Sequence, residues 1–142
     1  MSTPSRRTRP GAAQRACLTA GNVDMQVCAA CAHVQYPPAD CCRHCLGDEL
    51  VFTSVDPAAT VIATTTVHRS YRDDFTTGGP WPVASVRLAT GATVFAHVSE
   101  VIAPGTPVTL VALTDKLREG VFGAVRAPHE LAALQARFEA TS

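Results

Sequence analysis

Five of the six cysteines in this sequence fall within an eighteen-residue stretch, and their spacing is typical of a metal site. They form two C-x-x-C motifs, Cys28-Ala29-Ala30-Cys31 and Cys42-Arg43-His44-Cys45, with ten residues between them. Each motif makes a tight turn that directs two thiolates toward one centre, so two facing turns complete a tetrahedral sulfur site that suits Zn²⁺ or iron. Because four thiolates leave no open position for water, we expect the metal to hold the fold rather than to perform chemistry.

Other side chains near the two motifs could compete for the metal. Cys41 could replace Cys42 only if the second motif stretched to C-x-x-x-C. We interpret His33 and His44 as bystanders, since His44 lies inside its own turn, and Cys17 as an ordinary free thiol far from the cluster. Disulfides are the main competing interpretation, but they conflict with a reducing compartment. A catalytic redox pair would need a strand–helix pattern of the thioredoxin kind, which neither motif has.

Composition narrows the class of protein. The chain has 142 residues, of which 46% are hydrophobic and 17% charged, and its 12 basic and 12 acidic side chains give a formal net charge of zero. The balanced charge argues against a dedicated nucleic-acid binder, and the apolar content argues against global disorder. No apolar run approaches the roughly 18 residues of a membrane span, and no apolar segment of the secretory kind follows Met1. We therefore expect a cytoplasmic protein without membrane contact.

Local composition and residue pattern divide the chain into four segments. Residues 1–24 are rich in Arg, Thr, Pro, Ala and Gly, with no acid before Asp24, and this composition predicts a flexible basic tail. Residues 25–52 contain the cysteine module. Residues 53–127 read as short β-type runs separated by turn residues. In residues 128–142, a proline at the first helical position precedes an apolar stripe of Leu131, Leu134 and Phe138, which predicts a C-terminal helix.

The β-type runs predict a small closed barrel. Alternation is clearest in Ala92–Val98, where alanine and valine alternate with Thr93, Phe95 and His97. Thr90-Gly91 just before it reads as a two-residue hairpin turn. Short, evenly spaced strands with no central helix favour a barrel, and the five-stranded OB-fold fits the size best, although pattern alone does not exclude a sandwich. The runs assigned to the barrel are Thr60–His68, Val83–Ala89, Ala92–Val98, Val108–Leu113 and Gly120–Ala127.

Four stretches resemble a family of thiolase-associated proteins that join a zinc ribbon to an OB-fold, known as the domain of unknown function number thirty-five family. The first runs from Gln26 to Cys31 and on through Tyr36-Pro37-Pro38. Family members place the second cysteine pair four and seven residues after that Pro-Pro, which Cys42 and Cys45 satisfy and Cys41 does not. The other stretches are Thr66–Arg69 with Phe75 and Pro80–Ala84, then Val86–Leu88 with Gly91, and Pro104–Val108.

The resemblance implies a mainly β fold, with an N-terminal rubredoxin-like zinc ribbon, a five-stranded OB-fold barrel and a short C-terminal helix. It implies a structural Zn²⁺ bound by Cys28, Cys31, Cys42 and Cys45. The chain departs from the family at Ala32, where glycine is usual, and at Arg43, where proline is usual. Family members often carry an aromatic-bearing helix before the ribbon, and the segment here has no aromatic residue.

The implied function is that of a non-catalytic accessory subunit. The resemblance implies that such a protein binds a thiolase-fold enzyme and forms a hetero-oligomer with it. It helps to form or bridge the acyl-CoA site of that enzyme during acyl transfer, condensation or retro-aldol cleavage. The catalytic residues in these systems belong to the partner enzyme.

The segment from His68 to Pro82 is the best candidate for contact with a partner or with acyl-CoA. It brings aromatic anchors together with guanidinium groups that can pair with phosphate or carboxylate. The alternative is that Trp81 and Phe75 close one end of the barrel. A Ser-His-Asp triad around His68 is disfavoured because no nucleophile elbow is present. The candidate contact residues are His68, Arg69, Tyr71, Arg72, Phe75 and Trp81.

Two further functions compete with the accessory role. An OB-fold could bind single-stranded nucleic acid by aromatic stacking, and Phe95 and Phe122 are the main aromatic residues in the barrel runs. A four-cysteine site could instead hold redox-active iron in an electron carrier, whose colour would reveal it. The neutral charge disfavours the nucleic-acid function.

Overall fold

The cysteine motifs lie on a small antiparallel sheet that precedes the barrel. The structure is a computed structural model, and it describes residues 8–68, 80–115 and 118–140. Strand β1 (Asp24–Cys28) is central in this three-stranded sheet and pairs with β2 (Val34–Gln35) on one side and β3 (Leu50–Ser54) on the other. The first cysteine motif therefore begins at the end of β1, and the second lies in the connection from β2 to β3.

The next five strands close into the predicted barrel. Their order around the barrel is β4-β5-β6-β8-β7, closed by pairing of β7 with β4. The pairs are antiparallel except for β6 and β8, which run parallel and are in register at His97 and Gly123. The strands are β4 (Ala58–Val67), β5 (Trp81–Leu88), β6 (Thr93–His97), β7 (Pro107–Thr114) and β8 (Gly120–Val125).

Alternation along the strands builds the barrel core as predicted. Val94 and Ala96 are each 1% exposed, whereas Phe95 between them is 75% exposed. The hairpin before β6 differs from the prediction by one residue. The Leu88 N–H donates to the Ala92 carbonyl at 2.8 Å, and the Leu88 carbonyl accepts from the Gly91 N–H at 2.9 Å, so three residues rather than two form the turn. The last of them, Gly91, has a φ of 96°, a left-handed conformation that glycine adopts without strain.

The predicted C-terminal helix is present as α2 (His129–Ala140), and it packs against one end of the barrel. Leu134 and Phe138 are buried, as the stripe predicted, but Leu131 is 38% exposed and is therefore wrongly assigned to it. The carboxylate of Glu130 takes the inward position instead. It accepts hydrogen bonds from the Arg126 guanidinium and backbone N–H and from the Ser99 hydroxyl.

The prediction of a flexible tail over residues 1–24 is wrong for its described part, because helix α1 spans Arg9–Thr19. Leu18 is 4% exposed and lies in the core cluster of the barrel. Gly120, at the start of β8, lets the helix approach closely, since a Cβ there would lie 2.2 Å from the Thr19 backbone nitrogen. The Thr19 hydroxyl accepts a hydrogen bond from the Gly120 N–H at 2.9 Å. Neither α1 nor α2 in the described part of the chain is long and apolar enough to cross a membrane.

Candidate functional site: a four-cysteine centre

The structure brings the sulfur atoms of Cys28, Cys31, Cys42 and Cys45 within 4.8 Å of one another. The Sγ atoms of Cys28 and Cys45 are 3.6 Å apart, and those of Cys31 and Cys42 are also 3.6 Å apart. Zn–S bonds of about 2.3 Å in a tetrahedron place the sulfurs about 3.8 Å apart. The four side chains therefore have the spacing that a single tetrahedral metal ion requires.

The two cysteine turns are built alike. In the first, the Ala32 N–H donates to the Cys28 carbonyl at 2.8 Å, and in the second the Leu46 N–H donates to the Cys42 carbonyl at 2.9 Å. The residue after the second cysteine is left-handed in both turns, with a φ of 64° at Ala32 and at Leu46. This conformation explains the family preference for glycine at the position of Ala32, because only glycine adopts it at no steric cost.

Backbone N–H groups point at the sulfur atoms of the second turn. The His44 N–H lies 3.4 Å from the Cys42 Sγ, and the Gly47 N–H lies 3.4 Å from the Cys45 Sγ. The backbone N–H of Cys45, together with that of His44, lowers the pKa of the Cys42 thiol to about 6. Such N–H groups stabilise thiolates, the form in which cysteine binds metals.

Two buried glutamines connect the ribbon sheet to the second turn. Gln26 and Gln35 are each 3% exposed and are paired across β1 and β2. The Gln35 amide donates to the Gln26 Oε1 at 2.7 Å and to the Cys41 carbonyl at 3.2 Å. The Gln35 Oε1 accepts from the Arg43 N–H at 3.0 Å. A proline at position 43 would have no N–H for this bond, so the departure from the family pattern matches the local hydrogen bonding.

Of the side chains not expected to bind the metal, His33, Cys41 and His44 are close to the four cysteines in sequence, and Cys17 lies on α1. Cys41 is exposed and is not part of the cluster of four sulfurs. The His33 and His44 rings stack on each other with centroids 5.5 Å apart. Burial raises the pKa of the Cys17 thiol, and nearby Asp24 adds to this effect. In the described part of the chain, the four-cysteine cluster is the group of acidic, His and Cys side chains that could hold a metal ion.

The structure describes only part of the predicted contact segment. Arg69, Tyr71, Arg72 and Phe75 lie outside the described residues, so their predicted contacts stay predictions. His68 is exposed at the end of β4.

Trp81, at the other end of that segment, is 1% exposed and packs against α2. Its indole N–H donates to His97 Nδ1 at 2.8 Å. Its ring lies 4.9 Å from that of Phe138 and 4.6 Å from the Arg137 guanidinium carbon.

A cleft of about 400 Å³ between α1, the Tyr36-Pro37-Pro38 turn and the barrel was not predicted from the sequence. The Tyr36 ring meets the Phe122 ring edge-on at 5.4 Å, and Phe122 is only 5% exposed. Arg15 lines the cleft but is hydrogen-bonded to Glu119. Of the two aromatic residues considered for base stacking, Phe95 alone is therefore available at the surface.

A four-cysteine ribbon followed by a closed five-stranded barrel defines a class of proteins that join a metal-binding ribbon to an OB-fold. Residues 25–51 match the family model for the ChsH2 rubredoxin-like zinc ribbon domain. Residues 53–113 match the model for the ChsH2 C-terminal OB-fold domain. The chain belongs to this ChsH2, or DUF35, family, as the sequence resemblance predicted. Helices α1 and α2 lie outside both matches.

A solved structure described as an Ltp2-ChsH2(DUF35) aldolase has a similar fold. The two chains superpose with a TM-score of 0.73 at 22% sequence identity, over 84% of this chain and 96% of that chain. At this identity the likeness shows the fold alone. None of the curated proteins compared with the chain matches it in sequence.

Proposed function

We propose that the chain is a non-catalytic accessory subunit that binds a thiolase-fold enzyme and helps to form or bridge its acyl-CoA site. The observation that carries this proposal is the match of the complete ribbon-plus-barrel architecture to a protein described as part of an aldolase. Retro-aldol cleavage is therefore the reaction we favour for the complex. Condensation and acyl transfer would use the same architecture with a different partner.

The metal we propose for the four-cysteine centre is a structural Zn²⁺. Sulfur spacing, N–H groups directed at the sulfurs, and membership of a zinc-ribbon family support this choice. Zn²⁺ has a filled d shell and favours four thiolates in a tetrahedron. Four cysteine ligands would leave the ion no open position, so we assign the chemistry of the complex to the partner.

The proposed contact with the partner or with acyl-CoA uses His68, Arg69, Tyr71, Arg72 and Phe75. Trp81 has a supporting role in this proposal. Its buried ring and its hydrogen bond to His97 fix the point where the segment rejoins the barrel. The guanidinium groups of the two arginines would form paired hydrogen bonds with the phosphates of a CoA or with carboxylates of the partner.

Affinity capture of the tagged chain from its native cells, followed by mass spectrometry, tests the proposal. We expect a thiolase-fold enzyme in near-stoichiometric amount, and we expect acyl-CoA turnover to require both proteins. Capture of the chain alone, or capture together with nucleic acid in a strongly salt-dependent manner, would contradict it. A visibly coloured preparation would indicate iron rather than Zn²⁺ at the cysteines.

A further inference from the structure

Leu46 is unfavourable in two independent ways in the isolated chain. Its φ of 64° lies in the left-handed region, where a leucine side chain crowds its own backbone. Its side chain is also the most exposed of the large hydrophobic side chains in the described part of the chain, at 76%. A glycine would remove both the strain and the exposed apolar surface. The turn requires the left-handed conformation, but it does not require a leucine, and strain that a fold retains is often associated with function.

The first cysteine turn supplies an internal comparison for this position. Ala32 has the same φ of 64° and makes the same hydrogen bond to the first cysteine of its turn as Leu46 does. The turn is therefore compatible with a small side chain after its second cysteine. The long apolar side chain at Leu46 is not explained by the geometry of the turn.

The residues around Leu46 indicate what kind of molecule could cover it. Arg43, Asp48 and Glu49 are exposed on either side of it in the sequence. An apolar centre with a polar rim is the usual anatomy of a protein interface. The two neighbouring carboxylates would repel the phosphates of nucleic acid or of an anionic membrane, so charge favours a protein partner.

We propose that Leu46 is an anchor that inserts into an apolar pocket on the catalytic subunit, with Arg43, Asp48 and Glu49 pairing at the rim of that pocket. This inference rests on the proposed accessory function and adds a docking surface on the ribbon, away from the segment that begins at His68. The strain at Leu46 is then a cost to the free chain that burial in the complex offsets.

The variant Leu46→Gly tests this proposal because folding and binding should change in opposite directions. In the isolated chain, relief of strain should raise the midpoint of thermal unfolding of the ribbon by about 2 °C. Affinity for the thiolase-fold enzyme recovered with the wild-type chain, measured by calorimetry, should fall about tenfold because the buried leucine is lost. The matched control Ala32→Gly should raise the same midpoint without changing affinity. Metal content should be equal in all three proteins.

Each other outcome has a definite meaning. If the wild-type chain recovers no such enzyme, the proposed function fails and this inference fails with it. If Leu46→Gly binds as tightly as wild type, the docking role alone is wrong. A lower unfolding midpoint in Leu46→Gly would assign Leu46 to the internal packing of the ribbon. Loss of self-association without loss of hetero-complex would show that Leu46 contacts a second copy of the chain.

Discussion

The ribbon and the barrel are stabilised by different kinds of interaction. The barrel has a continuous apolar interior, in which Val86, Val94 and Val98 are no more than 1% exposed. The ribbon has instead a four-sulfur centre and a buried network built on two glutamines. A segment of about thirty residues cannot enclose an adequate apolar core, so ligation and hydrogen bonds replace apolar burial in it.

The two units nevertheless share one boundary. Met25 on β1 is fully buried in the same apolar cluster as the barrel strands, and Val34 and Tyr36 pack against that cluster. Helix α1 contacts both units, since the Gln14 amide donates to the Asp24 carbonyl at 2.5 Å and Leu18 joins the barrel cluster. The four-cysteine centre thus lies within the turns of the ribbon, while the barrel provides the apolar surface against which Met25 packs.

Removal of the metal should have the largest effect, and it should separate the two units. We expect chelation, or Cys42→Ser, to abolish amide protection around both cysteine turns while barrel amides remain protected. The lost binding free energy is about 10 kcal/mol, more than so small a module can replace. Hydrogen exchange with mass spectrometry measures this directly. Cys41→Ser is the control, and it should leave the ribbon intact because Cys41 is outside the cluster. Equal loss of protection in the barrel would show that the barrel also depends on the metal and that the two units are not stabilised by different interactions.

The same difference explains what the sequence could predict. Cysteine spacing is local, so two C-x-x-C motifs were enough to predict the centre without knowledge of the fold. Barrel strands such as Thr93–His97 could be predicted from the alternation of apolar and polar residues, because every second side chain of such a strand is buried. The family resemblance chose Cys42 over Cys41, which spacing alone had left open.

Helix α1 was missed because it carries almost no apolar pattern. Leu18 is its only large aliphatic residue, and much of the rest of the helix consists of small residues such as Gly11 and Ala12. Its position depends on Gly120, which is about a hundred residues away and admits the helix backbone. The inward orientation of Glu130 was also missed: Arg126 is only four residues before it, but its other partner, Ser99, is distant in sequence. Contacts of this kind leave no local periodicity.

Gly120→Ala should weaken the connection between the units. The new Cβ would meet backbone atoms of Leu18 and Thr19 at 2.2–2.4 Å, and backbone cannot move aside as a side-chain tip can. We expect a loss of about 2 kcal/mol in unfolding free energy and faster exchange of α1 amides. Urea denaturation and hydrogen exchange would measure the two effects. Thr19→Ser is the control, since it keeps the hydroxyl that accepts from the Gly120 N–H. Unchanged α1 protection in Gly120→Ala would disprove the close packing.

Glu130 is a buried carboxylate on the helix that packs against one end of the barrel, and it should make that end sensitive to acid. Hydrogen bonds from Arg126 lower the pKa of the Glu130 carboxyl. The carboxylate therefore stabilises the fold fully above its unfolded-state pKa of about 4.3, and this contribution is lost as the pH falls through the lower folded-state value. Glu130→Gln should cost about 1–2 kcal/mol at pH 7 and less at pH 3, by urea denaturation at both pH values. Glu139→Gln, at an exposed position on the same helix, should show little effect at either pH.

The smallest effect concerns the single hydrogen bond between Trp81 and His97. Trp81→Phe keeps an aromatic ring among Leu113, Leu134 and Phe138 but removes the indole N–H that His97 Nδ1 accepts. We expect a loss of about 1 kcal/mol in unfolding free energy, with unchanged protection in the ribbon. Trp81→Ala removes the packing as well and should cost about 3–5 kcal/mol. If the two variants were equally destabilised, the hydrogen bond rather than the ring would hold this end of the barrel. The barrel would then depend on a polar contact at this end, as the ribbon does, and the contrast between an apolar barrel and a polar ribbon would not hold where the segment from His68 to Pro82 ends.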